Sequence, residues 1–207
     1  MDLAKYKNDG WGISILGFTK LLDLIKDNDN EELNVLEFGS GVSTMFLSDI
    51  VRDKIKKLKI TSFDNDINYG YKKSDDEDYV KLLVRGLVEC DDMDYQKQLS
   101  DKKYNKSLMK IKTSFLEPTQ KNNFYDIQEN DLDGTYDLII LDGPNGNGRN
   151  FSFLHIQKHV KEGTFIFIDD YNHYDFLERC QNIFNTEIVF QHTEGIGDDN
   201  FVIVKIK

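Results

Sequence analysis

The chain has 207 residues, 30% of them charged, and a formal net charge of -11. That length suits one domain with a sizeable core, and the acidic balance disfavours binding along a phosphate backbone, leaving room only for a local basic patch. Residues 1–7 hold no apolar run that would serve as a signal peptide, no stretch is long and apolar enough to span a membrane, and the two cysteines, Cys90 and Cys180, give neither a disulfide framework nor a zinc pattern, so the expected location is the reducing cytoplasm.

Apolar residues at Ile15, Leu16, Leu21, Leu22, Leu24 and Ile25 predict an amphipathic helix over 13–26. Asn34 to Phe38 reads as a buried strand stopped by Gly39-Ser40-Gly41, and Phe46, Leu47, Ile50 and Val51 return to helical spacing. Leu58 to Phe63 is a second strand, ending in Asp64-Asn65-Asp66. From about 68 to 106 the texture turns to Asp, Lys and Tyr; one helix over Glu77–Glu89 and an inserted surface segment are expected there. A third strand is expected at Leu108–Phe115, followed by a polar connection containing Phe124, Tyr125 and Asp126. Tyr136 to Leu141 is a strongly apolar strand closed by Asp142-Gly143-Pro144, and Phe151 to Val160 reads as a helix. Thr164 to Ile168 is a fifth strand ending in Asp169-Asp170; a short helix over Phe176–Ile183 follows. Glu187–Gln191 and Phe201–Ile206, around a loop with Gly195 and Gly197, look like a closing hairpin.

Strands alternating with helices predict a mostly parallel sheet covered on both faces, in a single α/β domain over 1–207. In such doubly wound folds ligands sit beyond the carboxyl ends of the strands, where nearly all the distinctive residues of this chain fall.

Val35-Leu36-Glu37-Phe38-Gly39-Ser40-Gly41-Val42-Ser43-Thr44 combines a strand, a Gly-x-Gly turn and a helix start. Glycines let the backbone approach a ligand, and a helix N-terminus attracts an anion. A dinucleotide fingerprint wants a third glycine where Thr44 stands, and a phosphate loop wants a lysine that is missing. Glu37 repels a pyrophosphate and favours a cationic ligand. S-adenosyl-L-methionine carries a sulfonium and an ammonium, with a carboxylate for the helix N-terminus. Asp64, with Asn65 beside it, ends the second strand, where an acid accepts hydrogen bonds from both ribose hydroxyls. The plainer reading makes Glu37 and Asp64 ordinary polar strand ends.

On these residues the chain resembles class I S-adenosylmethionine-dependent methyltransferases. Val35–Thr44 looks like their first motif and Ile60–Asp66 like their second. Tyr136–Pro144 resembles the fourth strand of a subgroup ending in Asp-Gly-Pro, and Gly163–Tyr171, ending Ile-Asp-Asp-Tyr, resembles the fifth. The resemblance implies a Rossmann-like seven-stranded sheet in the order 3-2-1-4-5-7-6, its last strand antiparallel. It also implies a cofactor site at Glu37, Gly39, Ser40, Gly41, Ser43, Thr44, Asp64, Asn65 and Asp142, with Trp11 and Tyr125 near the adenine or, equally, in the core.

In that order Asp142, Asp169 and Asp170 face the methyl-donor crevice as three neighbouring carboxylates. They would repel one another unless a divalent cation such as Mg2+ or Mn2+ joined them, and such an ion lowers the pKa of a substrate hydroxyl. Similar acids bind magnesium in catechol-type and macrolide-sugar (macrocin-type) O-methyltransferases, and both strand ends resemble glucuronoxylan methyltransferases. The implied acceptor is a small polyhydroxylated molecule or sugar, by analogy of family. Against this, Asp170 can cap the following helix and Asp142 can fix its own turn. A metal-free variant uses Asp142 or His173 as the base, and His173 reads equally as an ordinary surface-loop histidine. His155 and His159, four apart, are expected on a helix away from the crevice. Asn145, Asn147 and Arg149 grip a polar substrate at the rim or form a turn.

Other chemistries lack their residues. Asp142-Gly143-Pro144-Asn145 is not the Asn/Asp-Pro-Pro-Tyr/Phe of amino-directed nucleic-acid methylation, no cysteine follows Pro118 or Pro144, and no Gly-x-Ser-x-Gly elbow exists. The expectation is an O-methyltransferase, with a cofactor-binding regulatory or scaffolding protein as the alternative; a dinucleotide oxidoreductase is opposed by Thr44 and Glu37. The oligomeric state is left open.

Overall fold

Leu33 and Val35 are buried on one side of the first strand, and Leu36 and Phe38 on the other. A strand apolar on both faces belongs in the middle of a covered sheet. The computed structural model places it there and describes residues 1–7, 12–66, 68, 70–89, 123–172, 175–194 and 199–207. After a 3-10 turn at Leu3–Tyr6 the elements are α1 (Ile15–Asp27), β1 (Glu32–Phe38), α2 (Val42–Arg52), β2 (Lys57–Asp64), β3 (Val80–Val84), β4 (Leu87–Glu89), β5 (Asn123–Tyr125) and β6 (Leu138–Leu141). Then follow α3 (Ser152–His155) between two 3-10 turns, β7 (Phe165–Asp169), α4 (Phe176–Ile183), β8 (Thr186–Glu194) and β9 (Asp199–Ile206).

Among the described residues the main sheet has seven strands, ordered β3-β2-β1-β6-β7-β9-β8, with β9 antiparallel to both its neighbours. Counting only its own strands, this is the expected 3-2-1-4-5-7-6 order of the Rossmann-like methyltransferase fold. The pair β4 and β5 stands apart as a short antiparallel ribbon.

Helix α1 starts where the Ser14 hydroxyl accepts a hydrogen bond from Gly17 N at 3.1 Å, satisfying one of the free amides of its first turn. It packs Phe18, Leu21, Leu22 and Ile25 into the same layer as Phe46, Leu47 and Ile50 of α2. The rings of Tyr6, Phe18 and Phe46 lock this layer, with centroids 4.9 to 5.4 Å apart. On the other face Phe38, Phe63, Phe124 and Tyr125 pack with Phe153, Phe176, Cys180 and Ile183. Among the described residues no helix is long and apolar enough to cross a membrane.

Three expectations are corrected. Glu77–Glu89 is not a helix; it supplies β3 and β4. The third strand of the sheet is therefore Val80–Val84, and Leu108–Phe115 lies outside the described residues. The helix expected over Phe151–Val160 is a single α-turn flanked by 3-10 turns at Asn147–Phe151 and Ile156–Lys158. The closing hairpin is present, with an irregularity in register between Ile188 and Phe190; Gly195 and Gly197 lie outside the described residues. Of the segment expected to be inserted, residues 70–79 form a strap tied to α2 through Glu77. The buried carboxyl of Glu77 accepts hydrogen bonds from Tyr71 Oη at 2.5 Å, Arg52 Nη2 at 2.6 Å, Ser74 N at 2.8 Å and the Ser48 hydroxyl.

Candidate active site

The carboxyl ends of β1, β2 and β6 open into a cleft of about 380 Å³. Its walls include Gly39, Ser40, Val42 and Ser43 from the glycine loop, Asp64 and Asn65 from β2, Tyr125 from β5, and Asp142 to Asn145 after β6; Gly12 and Ile13 close one side. A larger hollow of about 540 Å³ lies near the start of β1, β2 and β3. Its charges already answer one another, Lys59 with Glu32 at 2.7 Å and Lys81 with Asp133 at 3.2 Å. The chemistry-bearing residues gather in the smaller cleft.

Gly39 turns the chain out of β1 with φ +99°, a conformation that favours glycine. Its amide donates to Phe63 O at 3.0 Å, while Asp142 N and Gly143 N both donate to Phe38 O. The ends of β1, β2 and β6 are thus stitched together directly beneath the cleft. Ser40 then reaches Asp64: its amide and hydroxyl donate to Asp64 Oδ2 at 3.1 and 2.9 Å. Tyr71 N donates to the Ser40 hydroxyl at 3.0 Å, and Asp66 N to Asp64 Oδ1 at 2.8 Å. Asp64 is held in place as an acceptor on the wall before any ligand arrives. Ser43, in the first turn of α2, brings a helix N-terminus to the same cleft.

Glu37 and Thr44, expected to line the cleft, lie behind the loop. Glu37 is fully buried, and its Oε2 accepts from the hydroxyls of Thr44 and Ser62, each at 2.5 Å. Thr44 Oγ1 in turn accepts from Gly41 N at 3.1 Å, so the carboxyl braces the loop from below. Glu37 Oε1 completes no hydrogen bond. Burial pushes the Glu37 pKa up to about 7, against the pull of the Ser43, Ser62 and Thr44 hydroxyls, and the charge of Asp142 adds to the rise.

Asp142 lines the cleft, and the buried Asp169, which is not part of that lining, is hydrogen-bonded to its carboxyl. Burial raises both pKa values, Asp169 well above the usual range; the bond between them lowers Asp142 and raises Asp169, the direction for a proton held on Asp169. Arg149, expected at the rim or in a turn, is built into the turn and only 3% exposed. Its guanidinium donates to Asp142 O at 2.7 Å, Asp169 O at 2.9 Å and Pro144 O at 3.2 Å, and lies over the Phe176 ring at 5.4 Å. Asp170 takes φ +54° and points an oxygen toward Arg149 Nη1 at 3.9 Å. The cap position of α4 is Asp175 and not Asp170. Among the described residues no group of three acidic, histidine or cysteine side chains is placed to hold a metal ion, the expected trio of Asp142, Asp169 and Asp170 included.

Tyr125 lines the cleft, yet its ring belongs to the core, stacked on Phe38 at 6.1 Å and tilted against Phe63 at 5.9 Å. Burial raises its pKa, so the hydroxyl stays protonated. His155 stacks on Phe124, and His159 contacts Gly134 O at 2.8 Å, so the two histidines have separate packing roles. His173 and Trp11 lie outside the described residues. Sequence reasoning missed the clamp made by Arg149 and the meeting of Gly143 with Gly39; the Asp-Gly-Pro motif was the available signal for the second.

A family model described as a methyltransferase domain matches residues 36–171, a span that runs from β1 to the end of the acidic edge. Among solved structures, CmcI-N160 in its apo form is similar with a TM-score of 0.51 and 13% identity, over 92% of this chain and 71% of that one. The CmcI-N160 structure with SAH gives 0.47 and 12%, over 92% and 77%. A methyltransferase from Pyrococcus furiosus gives 0.38 and 13%, over 97% and 87%. At these identities the likeness is one of fold. No curated protein matches the chain.

Proposed function

The chain belongs to the methyltransferase-domain family, and on that premise we propose that it transfers a methyl group from S-adenosylmethionine to a hydroxyl of a small polyhydroxylated molecule or sugar. The observation that carries the reading is the cleft itself: its walls bring together a fixed acceptor, Asp64, a helix N-terminus at Ser43 and the carboxyl of Asp142. S-adenosylmethionine supplies an electrophilic methyl group on a sulfonium. Asp64 fits the ribose hydroxyls and the start of α2 fits a carboxylate. Glu37, behind the loop, adds negative potential once it is ionised.

Asp142 is the residue to take the acceptor's proton. Its raised pKa makes it a stronger base than an exposed aspartate, and Arg149 limits that rise. Asp169 holds Asp142 in place through their hydrogen bond. Asp142 also offers an oxygen donor of the kind Mg2+ or Mn2+ takes; an ion held there would draw its remaining oxygens from water and the acceptor, and would stabilise charge on the acceptor oxygen. Arg149 already brings positive charge to this edge without one. The net charge of -11 favours a small acceptor over nucleic acid.

The test is calorimetric titration with S-adenosylhomocysteine, followed by transfer of labelled methyl from S-adenosylmethionine to a panel of sugars and polyols, with Mg2+, with Mn2+ and with chelator. Micromolar binding lost in Asp64→Ala, with label on a hydroxyl, supports the reading. Binding with no transfer to any hydroxyl compound would favour a regulatory cofactor-binding protein. No binding under any condition overturns the cofactor assignment.

A further inference from the structure

Glu37 is a carboxyl with no access to water and an unequal set of partners. The Thr44 and Ser62 hydroxyls both donate to Oε2, the Ser43 hydroxyl stands near as a third dipole, and Oε1 completes no hydrogen bond. An ionised carboxylate wants several donors spread over both oxygens, and burying one with half of them missing is costly. The groups facing it do not help. On the β6 side stands Asp142, whose negative charge opposes ionisation. From β5 comes Tyr125, a neutral phenol that interacts electrostatically with Glu37. From β2 and α2 come the hydroxyls of Ser62, Thr44 and Ser43, which are dipoles and not cations. Ser43 also lines the cleft, so only one thin layer of the loop separates the carboxyl from a ligand.

We propose that Glu37 couples cofactor binding to proton release: its carboxyl is neutral in the ligand-free protein and becomes a carboxylate when a cationic ligand settles on the glycine loop. The proton leaves to solvent, and the negative charge it uncovers attracts the ligand's sulfonium and ammonium. The raised pKa of about 7 places this exchange in the neutral range. The inference rests on the cofactor reading above and extends it to turnover. S-adenosylhomocysteine lacks the sulfonium charge, so after methyl transfer Glu37 recovers its proton and the cleft loosens its hold on the product. The cleft thereby separates methyl donor from spent product by charge.

The experiment is calorimetric binding of S-adenosylmethionine and S-adenosylhomocysteine to the full chain, in buffers of different ionisation enthalpy, at pH 6.3 and pH 8.3. At pH 6.3 the wild type should release about 0.8 proton per S-adenosylmethionine, falling below about 0.1 at pH 8.3, with affinity rising roughly fivefold between them. S-adenosylhomocysteine should release less. Glu37→Gln should show flat affinity and a proton count lower by the wild-type difference, which also subtracts any contribution from the ligand's own amine. Buffer-independent heats in the wild type at pH 6.3 overturn the proposal, and the wild-type series decides this even if Glu37→Gln fails to fold. An unchanged proton count in a folded Glu37→Gln also overturns it and moves the proton to the Asp142–Asp169 pair. Absence of binding by either ligand removes the cofactor reading itself, whereas binding without proton release removes only this inference.

Discussion

Gly143 and Gly39 meet backbone to backbone: a β-carbon on Gly143 would lie 2.7 Å from the Gly39 α-carbon and 2.8 Å from the Tyr125 hydroxyl. Neither the paired backbone nor the stacked tyrosine has room to give. Gly143→Ala should therefore cost about 1–3 kcal/mol and weaken S-adenosylhomocysteine binding at least roughly tenfold by prising β1 from β6. Thermal melts and calorimetry check both; a variant that melts and binds like the wild type would remove the close approach as a structural requirement.

Ser40 and Asp64 make separable contributions. Asp64→Ala removes the acceptor and should weaken S-adenosylhomocysteine binding roughly a hundredfold, as expected when charged hydrogen bonds are lost. Ser40→Ala keeps the backbone amide on Asp64 and loses only the hydroxyl, so a loss of about threefold to tenfold is expected. Equal effects in a titration of both variants would contradict the division of labour.

The pH dependence of stability has two opposed sources. The Glu37 pKa is raised in the folded protein to about 7 from 4.5. Its contribution is thus fully present below about pH 4.5 and lost as pH rises through about 7, on the order of 3 kcal/mol. Urea unfolding without ligand should find Glu37→Gln close to wild type at pH 5 and more stable at pH 8. A variant less stable than wild type at pH 8 would show that the carboxylate is welcome in its pocket.

Glu77 has the reverse sign. Burial pushes its pKa up, but hydrogen bonds from Ser48, Tyr71 and Ser74 outweigh this and hold it down at about 2 from 4.5. Its contribution is present above about pH 4.5 and lost as pH falls toward 2. Glu77→Gln should cost about 2 kcal/mol at pH 7, and the gap should close in acid-unfolding curves near pH 2. A gap independent of pH would point to packing rather than charge.

Arg149 holds together the ends of β6 and β7. Arg149→Met leaves three carbonyls without their donor and two buried acids without their counter-charge, a loss of about 3–5 kcal/mol. Arg149→Lys restores the charge but not the three-way fork, so it should recover less than half in chemical denaturation. Full recovery by lysine would mean that charge alone matters.

The parallel centre of the sheet was legible because β1, β2, β6 and β7 are short apolar runs, each ended by glycine or acid at its carboxyl end. Part of the cleft wall was legible for the same reason, since Gly39, Ser40, Asp64 and Asp142 are those endings. The stretch at Val80 misled because Val80, Leu83, Val84 and Leu87 fall at helical spacing. In a segment this short, pairing with β2 decides between helix and strand. Glu37 looked like a ligand contact because a motif records order along the chain and not depth. The turn that drops it behind Thr44 and Ser62 is a property of three strands together. Arg149 was ambiguous for a like reason: its three acceptors are backbone carbonyls, which leave no mark on the sequence.

The β4–β5 ribbon pairs Glu89 directly with Asn123. Leu87 stands opposite Tyr125 in the same ribbon, so one wall of the cleft is carried by a two-stranded pair that is separate from the seven-stranded sheet. A change confined to the ribbon can therefore reshape the cleft while leaving the pairing of the seven strands untouched.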